Sequence, residues 1–340
     1  MLSNDIGIDL GTATTLVYVN GKGIVLREPS IVALDAKSGQ VKAVGDDAYS
    51  MLGKTSDMIR VVRPLAEGVI SDYEVTEQML KIFFQKINPN RFFKPRVCVC
   101  VPSAITEVES RAVIDTVMSS GARNVFLIEE PVAAAIGCGV DISAPGGVAI
   151  LDIGGGTSDI AVLSLNGIVC KTSLKLAGNK FNDAIIKYIR GAYNVLIGDN
   201  TADRIKREIG TVWPEDLETV EYEVKGRNLV TGLPQRITIT NQELVEPLAA
   251  EAEHLIVALQ SVMERTPPEL VADIEQNGLI MTGGGSMLGG LDRLITSRIR
   301  IQARLAENPV EAVAVGTGLS FNYLGKLYDG FVTYTNYSNK

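Results

Sequence analysis

Two short stretches of the chain place an aspartate and glycines between apolar runs. The first reads Ile8-Asp9-Leu10-Gly11-Thr12-Ala13-Thr14, and the second reads Asp152-Ile153-Gly154-Gly155-Gly156-Thr157. Glycine N–H groups without side chains nearby can cradle phosphate oxygens, and an aspartate at a strand end can hold a divalent cation, directly or through water. Each stretch therefore predicts a phosphate loop, with Asp9 and Asp152 as candidate partners of Mg²⁺. Taken alone, each would also fit a tight hairpin.

The two stretches belong to a longer repeat. Their aspartates and first glycines correspond, and each leads into a β-rich run that ends in an Asn-Gly pair. These pairs are Asn20-Gly21 and Asn166-Gly167, and Asn-Gly between β-rich runs is the strongest short hairpin signal. The chain thus repeats a unit of strand, Asp-x-Gly loop, strand, turn and strand. We expect two homologous halves that hold one polyphosphate from both sides.

A third glycine-rich stretch and an acidic strand end complete the candidate site. Gly283-Gly284-Gly285-Ser286 follows a predicted strand and opens a helix, which fits close backbone contact with a base or ribose, although a tight turn explains it equally well. Glu129-Glu130-Pro131 follows the predicted strand 125–128. Because the residue before proline avoids helical backbone angles, we expect Glu130 to lie outside the next helix, with its carboxylate pointing out of the sheet end.

The segments between these stretches alternate between strands and helices. Residues 97–101 read as a strand, and Thr106-Glu107-Val108-Glu109 is a capping box that opens a helix. Such alternation predicts an α/β fold with a largely parallel, helix-covered sheet. Further helices are predicted over residues 71–87, 178–196, 202–209, 241–265 and 309–319, and insertions over residues 36–65 and 214–240, the second with turns at Gly226 and Gly232.

Composition narrows the classes of function. The chain has 340 residues, a net charge of −8, and 46% hydrophobic and 21% charged residues, which suits two cored domains of ordinary globular composition. The negative charge argues against nucleic acid as a partner, because duplex binding depends on neutralising phosphates with Lys and Arg. Because the sequence contains neither a long apolar run nor a signal peptide pattern, we expect a cytoplasmic protein.

Cysteine and histidine content argues against other kinds of site. Cys98 and Cys100 share one face of a predicted strand and are expected as small core residues, and the four cysteines lack a metal-type spacing. His254 is the one histidine, and no serine motif matches it as a Ser-His-Asp site would require. A Walker loop is missing too, because Ala48 stands where the first glycine before Gly53-Lys54-Thr55 is required.

Together, the two Asp-x-Gly loops, the Glu-Pro strand end and the late glycine loop resemble the actin, sugar kinase and heat-shock 70 ATPase superfamily. Within it, the chain is similar to the MreB family of bacterial actins over nearly its whole length. Beside the glycine loops, the stretches that carry this likeness are Arg63-Pro64-Leu65-Ala66-Glu67-Gly68-Val69-Ile70, Phe126-Leu127-Ile128-Glu129-Glu130-Pro131, Thr201-Ala202-Asp203-Arg204-Ile205-Lys206 and Thr266-Pro267-Pro268-Glu269-Leu270. Each loop alone is weak evidence, but together the stretches are highly specific.

The resemblance implies an actin-like ATPase fold. Two similar halves, each a mixed sheet flanked by helices, would form four subdomains around a central nucleotide cleft. Subdomain IA would comprise residues 1–32, 66–145 and 320–340, and subdomain IB residues 33–65. Subdomain IIA would comprise residues 146–180 and 245–319, and subdomain IIB residues 181–244.

The resemblance also implies ATP and Mg²⁺ as ligands and assigns residues to them. Asp9 and Asp152 would hold Mg²⁺, and Glu130 would orient the attacking water with Thr157 beside it. Phosphate would be contacted from one side by Asp9, Gly11, Thr12, Ala13 and Thr14, and from the other by Gly154, Gly155, Gly156 and Thr157. Adenosine would meet Asp203 and Lys206, with Gly283, Gly284, Gly285 and Ser286 opposite.

Some positions depart from the usual pattern of the family. Thr14 stands where Asn is common, and Ser158-Asp159 where Thr-Glu is common, and both changes keep the polarity. Asp203 replaces a usual Glu, which shortens its reach toward the nucleotide. The amphipathic membrane helix at the N terminus of many members is not visible before Asp5, so we expect that this member lacks it or has been shortened.

A filament on a membrane is the cellular role that the resemblance implies. We expect double protofilaments on the inner face of the cytoplasmic membrane, slow ATP hydrolysis coupled to polymerisation, and membrane-bound cell-wall synthesis and shape proteins as partners in directing rod shape. Phe92 and Phe93 stand between basic residues in a turn-rich loop, from which family members dip an apolar pair into lipid. Packing of both rings in the core is the alternative.

Three other functions stay open at this point. A small-molecule kinase of the same superfamily would need a catalytic acid facing a substrate pocket, and the chain is short for such enzymes. A chaperone ATPase domain would need its linker and peptide-binding region. Sedimentation on addition of ATP separates a filament from these two classes, whereas another actin-like filament, for DNA segregation or organelle positioning, differs only in its partner.

Overall fold

The structure is a computed structural model that describes residues 5–87, 94–215 and 218–334, the last four as backbone only. The first part of the chain contains β1 (Asp5–Leu10), β2 (Thr14–Val19), β3 (Gly23–Pro29), β4 (Val32–Asp35), β5 (Val41–Val44), α1 (Asp46–Met51), β6 (Ile59–Val62), β7 (Leu65–Ala66), β8 (Val69–Ile70), α2 (Tyr73–Ile87), β9 (Arg96–Val101), α3 (Glu107–Ser119), β10 (Asn124–Glu129) and α4 (Glu130–Gly137). The predicted capping box at Thr106 and Glu109 is confirmed at the start of α3.

The rest of the chain repeats the plan with longer helices. It contains β11 (Val148–Ile153), β12 (Ser158–Ser164), β13 (Gly167–Leu174), α5 (Gly178–Tyr193), β14 (Val195–Leu196), α6 (Asp199–Ile209), β15 (Glu221–Asn228), β16 (Pro234–Thr240), α7 (Asn241–Arg265), α8 (Pro268–Asn277), β17 (Leu279–Thr282), α9 (Leu291–Ile299), β18 (Ala303–Leu305), α10 (Ala312–Leu319) and β19 (Phe331–Tyr334). Among the helices within the described ranges, none is long and apolar enough to cross a membrane.

Two large sheets share one strand plan. Their orders are β19-β10-β9-β1-β2-β3 and β13-β12-β11-β17-β18. In each, the strand that enters a glycine loop pairs antiparallel with the strand that leaves it and parallel with a later strand: β1 with β2 and β9, and β11 with β12 and β17. The predicted pair of similar halves, each a mixed sheet flanked by helices, is confirmed. The expectation of a largely parallel sheet is wrong, because three of the five strand pairings in the first sheet and two of the four in the second are antiparallel.

The parallel strands explain where the candidate residues meet. β1, β9 and β10 run parallel in the first sheet, as β11, β17 and β18 do in the second. The three glycine stretches and Glu130 all lie at the carboxyl ends of such strands, which is where open α/β sheets bind ligands. Cys98 and Cys100 are buried on one face of β9, as predicted for small core residues.

Two helices join the sheets. α4, which follows the first sheet, packs on β11 and β12 of the second, whereas α10, which follows the second sheet, packs on β1 and β2 of the first. The helices also contact each other so closely that a Cβ at Gly316 would overlap the carbonyl oxygen of Ala133. Small residues therefore bring the two halves together through backbone contact.

Each half carries a smaller sheet where an insertion was predicted. These sheets have the orders β5-β4-β6 and β14-β15-β16. The turn predicted at Gly226 is wrong, because Gly226 lies inside β15, where a Cβ would approach the Leu196 carbonyl oxygen of the neighbouring strand to 2.6 Å. The turn between β15 and β16 instead contains Gly232, whose φ is 74°.

Several helix ends differ from the predicted ones. α5 ends at Tyr193 rather than at residue 196, α6 begins at Asp199 rather than 202, and α10 begins at Ala312 rather than 309. Glu130 is the first residue of α4, so the prediction that it lies outside the helix is wrong. Proline disfavours helical angles before it without forbidding them, and Glu129, with ψ of 140°, takes the extended position instead.

Candidate functional site

The first glycine loop, residues 11–13, connects β1 to β2 and is fixed by hydroxyl groups. Ser30 donates its hydroxyl hydrogen to the Gly11 carbonyl oxygen at 2.6 Å, and Thr12 Oγ1 accepts the N–H of Gly68 at 3.0 Å. The Ser30 N–H also donates to the Ala13 carbonyl oxygen at 3.0 Å. The loop therefore depends on two later segments of the first half, through the hydroxyl and backbone of Ser30 and the backbone N–H of Gly68.

The second glycine loop, residues 154–157, connects β11 to β12 and is fixed by its backbone. The Gly154 N–H donates to the Thr157 carbonyl oxygen at 2.9 Å, which closes a tight turn. The carbonyl oxygens of residues 154 and 155 accept the N–H groups of Gly178 and Asn179 at 3.0 and 2.9 Å. The loop thus sits on the N terminus of α5.

The two loops, one from each half, approach each other closely. A Cβ at Gly155 would lie 2.7 Å from the Cβ of Ala13, and a Cβ at Gly156 would lie 2.6 Å from Thr12 Oγ1. Because these distances are shorter than side-chain contacts allow, only glycine lets the loops come this close. The structure therefore brings the predicted phosphate-binding residues of both halves into one place.

A hairpin formed by β7 and β8 contacts both loops, although none of its residues was predicted to belong to the site. Its turn residues Glu67 and Gly68 have φ angles of 50° and 79°, which suits a two-residue hairpin turn. Besides the bond from Gly68 to Thr12, a Cβ at Gly68 would lie 2.8 Å from Thr157 Cγ2. Gly68 between the apolar pairs 65–66 and 69–70 predicts a hairpin from the local sequence. Where that hairpin packs depends on residues far away in the sequence, so its contact with the loops could not be predicted.

Four carboxylates gather at the loops: Asp9, Glu130, Asp152 and Asp159. Burial, more than any other cause, raises the pKa of Asp9 to about 6 and that of Asp152 to about 7. Burial, followed by the charges of Asp159, Asp152 and Asp9, holds the pKa of Glu130 well above its usual range. Burial also raises the pKa of Asp159. So much negative charge in one place favours a bound cation.

The aspartates of the two loops meet different donors. The Thr282 hydroxyl donates to Asp152 Oδ1 at 2.6 Å, whereas the Cys100 thiol donates to Asp9 Oδ1 at 3.4 Å. Within the described ranges, no group of three or more His, Cys, Asp or Glu side chains is arranged to hold an ion. The residues suit Mg²⁺, which usually keeps several waters and uses one or two carboxylates together with substrate phosphates.

Helix α6 and the third glycine stretch lie against the second loop. Lys206 forms an ion pair with Asp203 at 3.0 Å and donates to the Gly178 carbonyl oxygen at 2.9 Å. Burial lowers the pKa of Lys206, and the charge of Asp203 opposes this shift. A Cβ at Gly285 would lie 3.1 Å from the Gly154 carbonyl oxygen. The residues predicted to meet adenosine therefore border the residues predicted to meet phosphate.

The remaining predicted residues have these places. Thr14 begins β2, and Gly283 follows β17. Gly284, Gly285 and Ser286 form a 3₁₀ turn over Gly284–Met287, so the third stretch leads into α9 through this turn rather than opening it directly. Phe92 and Phe93 lie outside the described residues.

Asp159, which follows the second glycine loop on β12, lies at the site although it was not among the residues predicted to bind nucleotide or metal. It is fully buried on β12, directly opposite Asp152 of β11, and it accepts the N–H of Ser103 from the first half at 2.7 Å. Its position could have been predicted from the strand register, because Asp159 pairs with Asp152 across antiparallel strands and paired residues share one face of the sheet. The contact with Ser103 had no signal, because it joins segments that are distant in sequence.

Comparison with known proteins gives a consistent result. The family model described as MreB/Mbl protein matches residues 3–328. The cell shape-determining protein Mbl of Bacillus cereus is 48% identical over 328 residues, which cover 96% of this chain and 98% of that protein. The cell shape-determining protein MreB of Escherichia coli is 48% identical over 324 residues, covering 94% and 93%.

Solved structures agree with the sequence comparison. The crystal structure of MreB5 of Spiroplasma citri bound to ADP has a TM-score of 0.90 at 37% identity and covers 95% of this chain and 97% of its own. The structure of the same protein bound to AMPPNP has a TM-score of 0.91 at 36% identity, covering 96% and 98%. The chain therefore has the actin-like fold and belongs to the MreB/Mbl family.

Proposed function

We propose that this protein is a cytoskeletal ATPase that polymerises into membrane-associated filaments and directs cell-wall synthesis and rod shape. The observation that carries the proposal is the pair of opposed glycine loops, each with an aspartate at the end of its strand. Two relatives are described as cell shape-determining proteins, and MreB5 of Spiroplasma citri binds ADP and AMPPNP. These facts support an adenine nucleotide as the ligand of the cleft.

The phosphates of ATP lie between the loops in this proposal. Thr12, Ala13 and Thr14 contact them from the first half, and Gly155, Gly156 and Thr157 from the second. Mg²⁺, held by Asp9 and Asp152 directly or through water, neutralises phosphate charge when bound. The raised pKa values of both aspartates support this assignment, because a bound cation favours the ionised carboxylates that burial disfavours.

Adenosine lies on the side of the second loop away from the first in this proposal. Asp203 and Lys206 approach it from α6, and the third glycine stretch, residues 283–286, lies opposite. The four-subdomain division around the cleft, with the bounds given above, is part of the same proposal. The small sheets β5-β4-β6 and β14-β15-β16 support subdomains IB and IIB.

Glu130 serves hydrolysis in this proposal, and nucleotide binding does not depend on it. Its carboxylate and Thr157 orient the water whose oxygen bonds to the γ-phosphorus as the bond to the leaving ADP breaks. Direct contact with phosphate is unfavourable, since like charges repel. Phosphoryl transfer depends mainly on positioning and charge stabilisation, so a single water-orienting group has a large effect on rate.

Glu130→Ala should keep the ATP affinity and slow phosphate release about 10²-fold. Phosphate release would be measured during assembly with a coupled assay, and affinity by titration with a fluorescent ATP analogue. Glu129→Gln is the matched control, because Glu129 ends the same strand but pairs with Lys171 at 2.6 Å, and it should stay within about twofold of the parent. Hydrolysis at the parental rate in Glu130→Ala would disprove the assignment.

Filament formation is tested by sedimentation with ATP. The protein should pellet with ATP and Mg²⁺ and stay in the supernatant with EDTA. A small-molecule kinase would not sediment under either condition. A different actin-like filament would sediment too, and restoration of rod shape in cells depleted of their own family member separates a cell-wall role from that alternative.

Membrane association rests on Phe92 and Phe93 in this proposal. Burying each ring in lipid contributes about 1.5–3 kcal/mol, and many linked copies in a filament multiply the weak binding of one. Phe92→Ser combined with Phe93→Ser should lose co-sedimentation with anionic liposomes while keeping the thermal stability. Unfolding of this double variant would instead place the rings in the core.

A further inference from the structure

Near its C terminus the chain reaches from the first half to the second and back. It leaves α10, which packs on β1 and β2, runs through residues 324–330 beside the second half, and continues into β19, which pairs with β10 of the first sheet. We call residues 324–330 the C-terminal strap. The chain itself joins the halves after α4 and before α10, whereas noncovalent contacts attach the strap to the second half. The strap can therefore come away from the second half without a change in either crossing.

Backbone hydrogen bonds attach the strap to both halves. The N–H of Tyr328 donates to the carbonyl oxygen of Asn166, in the turn between β12 and β13, at 3.1 Å. The N–H of Glu129, at the end of β10, donates to the Gly330 carbonyl oxygen at 2.9 Å. A movement of the second half away from the first must therefore break the bond to Asn166 or pull the strap off β10.

The inner side of the strap is apolar, and its outer side faces solvent. Leu324 and Leu327 are half-buried and pack against a hydrophobic cluster that includes residues of both sheets and of α4. Lys326, Tyr328 and Asp329 are exposed, Tyr328 with 85% of its surface. The strap therefore covers the place where the two halves share one core.

Gly330 lies at the point where the strap, α4 and β13 meet. Its φ is 75°, and a Cβ there would lie 2.8 Å from Val132 Cγ2 and 2.9 Å from Ile168 Cδ1. Because these distances are shorter than side-chain contacts allow, a side chain at this position would push the strap outward. Gly325, in the same strap, has a φ of 76°, but a Cβ there would meet nothing within 4 Å. The two glycines thus share a backbone conformation and differ in what surrounds them.

We propose that the C-terminal strap restrains separation of the two halves and thereby limits the rate at which nucleotide leaves the site. The part of this inference that concerns nucleotide rests on the proposed function. The glycine loops come from different halves and lie within contact distance, so phosphates held between them are released only as the halves move apart. The strap resists that movement because its hydrogen bonds and its two leucines hold both halves at once.

Gly330→Ala and Gly325→Ala test the proposal as a matched pair. Dissociation of a fluorescent ATP analogue would be followed after a chase with unlabelled ATP in the presence of Mg²⁺. We expect the dissociation rate to rise about 3- to 10-fold in Gly330→Ala, the scale of one lost hydrogen bond. Gly325→Ala should stay within about twofold of the parent, since it carries the same strain of alanine at positive φ without the displaced contacts.

Tyr328→Pro and Tyr328→Ala form a second pair, which decides if Gly330→Ala does not fold. Proline removes the N–H that bonds to Asn166, whereas alanine keeps it and removes only the exposed ring. Dissociation should again be about 3- to 10-fold faster in the proline variant, and unchanged in the alanine variant. Parental rates in Gly330→Ala and Tyr328→Pro would overturn the proposal, as would equal increases in their two controls.

Amide hydrogen exchange tests the restraint without nucleotide. The N–H of Ser103, after β9 of the first half, donates to Asp159 Oδ1 of the second half at 2.7 Å, so its exchange reports separation of the halves. We expect this N–H to exchange about 3- to 10-fold faster in Gly330→Ala than in Gly325→Ala. The N–H of Gly178, which bonds within the second half at 3.0 Å, should exchange at the parental rate in both.

The exchange rates separate the two ways in which this inference can fail. Parental exchange of the Ser103 N–H in Gly330→Ala would overturn the restraint, and equal acceleration of the Ser103 and Gly178 N–H groups would replace it with a general loss of structure. A parent that does not bind the ATP analogue, but whose Ser103 exchange responds to Gly330→Ala, would contradict the proposed nucleotide site and support the restraint.

Discussion

The first and second glycine loops occupy equivalent places in the two sheets, yet they are held by different groups. The hydroxyls of Ser30 and Thr12 help to hold the first loop, beside one backbone bond from Ser30 to Ala13, whereas backbone bonds to the N terminus of α5 hold the second. The second loop is one residue longer and presents bare glycine backbone. The shared strand order of the two sheets thus places the two loops equivalently, although their contacts differ. The first loop has more side-chain contacts, and the second has more glycine N–H groups.

The same difference extends to the aspartates. Asp152 is buried and is oriented by the hydroxyl of Thr282, whereas Asp9 is more accessible and accepts from the weak thiol donor of Cys100. A carboxylate that is held in place before the ligand arrives contributes more to binding than one that must be ordered. The comparison therefore predicts that the two aspartates are unequal partners of Mg²⁺.

The largest expected effect is that of Asp152→Ala on ATP binding. We expect Kd for ATP with Mg²⁺ to rise at least about 100-fold in Asp152→Ala and about 10-fold in Asp9→Ala. Loss of a residue at a metal site, or of one that supports it, typically lowers metal affinity by about 10- to 100-fold. Isothermal titration with Mg²⁺ and with EDTA measures both. Thermal stability without nucleotide should not fall in Asp152→Ala, because the pKa raised to about 7 means that the ionised group destabilises the empty fold. Equal increases in Kd for Asp152→Ala and Asp9→Ala would show that the two aspartates contribute equally to Mg²⁺ binding.

A smaller effect is expected where the loops face each other. Gly156→Ala places a Cβ 2.6 Å from Thr12 Oγ1 and 3.1 Å from the Glu67 backbone, so the two loops must move apart. Misplacement of this size should weaken ATP binding about tenfold. Gly146→Ala serves as the control, because its Cβ would meet only Asp273 at an ordinary 3.9 Å. Unchanged affinity in Gly156→Ala would mean that the loops need not meet to bind nucleotide.

Much of this arrangement could be predicted from the sequence. The Asp-x-Gly loops, the strands around them and the burial of Cys98 and Cys100 follow from local pattern, because strand period and turn chemistry are local properties. The Glu67–Gly68 turn and the Ser103 contact of Asp159 could not be predicted, because they depend on how segments far apart in sequence pack. Glu130 lies among the carboxylates at the glycine loops, but it was predicted outside α4 and is the first residue of that helix. The preference of the residue before proline for extended angles is a tendency, which this helix start does not follow.

The smallest effect concerns the support of the second loop. Gly191 lies inside α5, where a Cβ would meet no atom within 4 Å and the backbone needs no positive φ. Gly191→Ala should therefore stabilise the fold by about 0.5–1 kcal/mol, as alanine does for glycine inside a helix, and urea unfolding would measure it. Gly316→Ala should have the opposite effect. Gly316 lies in α10, and its Cβ would overlap the carbonyl oxygen of Ala133 in α4. This variant should destabilise the fold by several times the gain expected for Gly191→Ala.

ATP affinity should stay within about twofold of the parent in Gly191→Ala, because the loop bonds to the first residues of α5 and Gly191 lies near the other end. A rise in affinity together with stability would show that the second loop is limited by fraying of the helix that holds it. The second glycine loop would then depend on the stability of α5 more than the first loop depends on the segments that hold it. Unchanged affinity would show that the N-terminal turn of α5 is already fully formed, and that the two loops differ in their contacts but not in their rigidity.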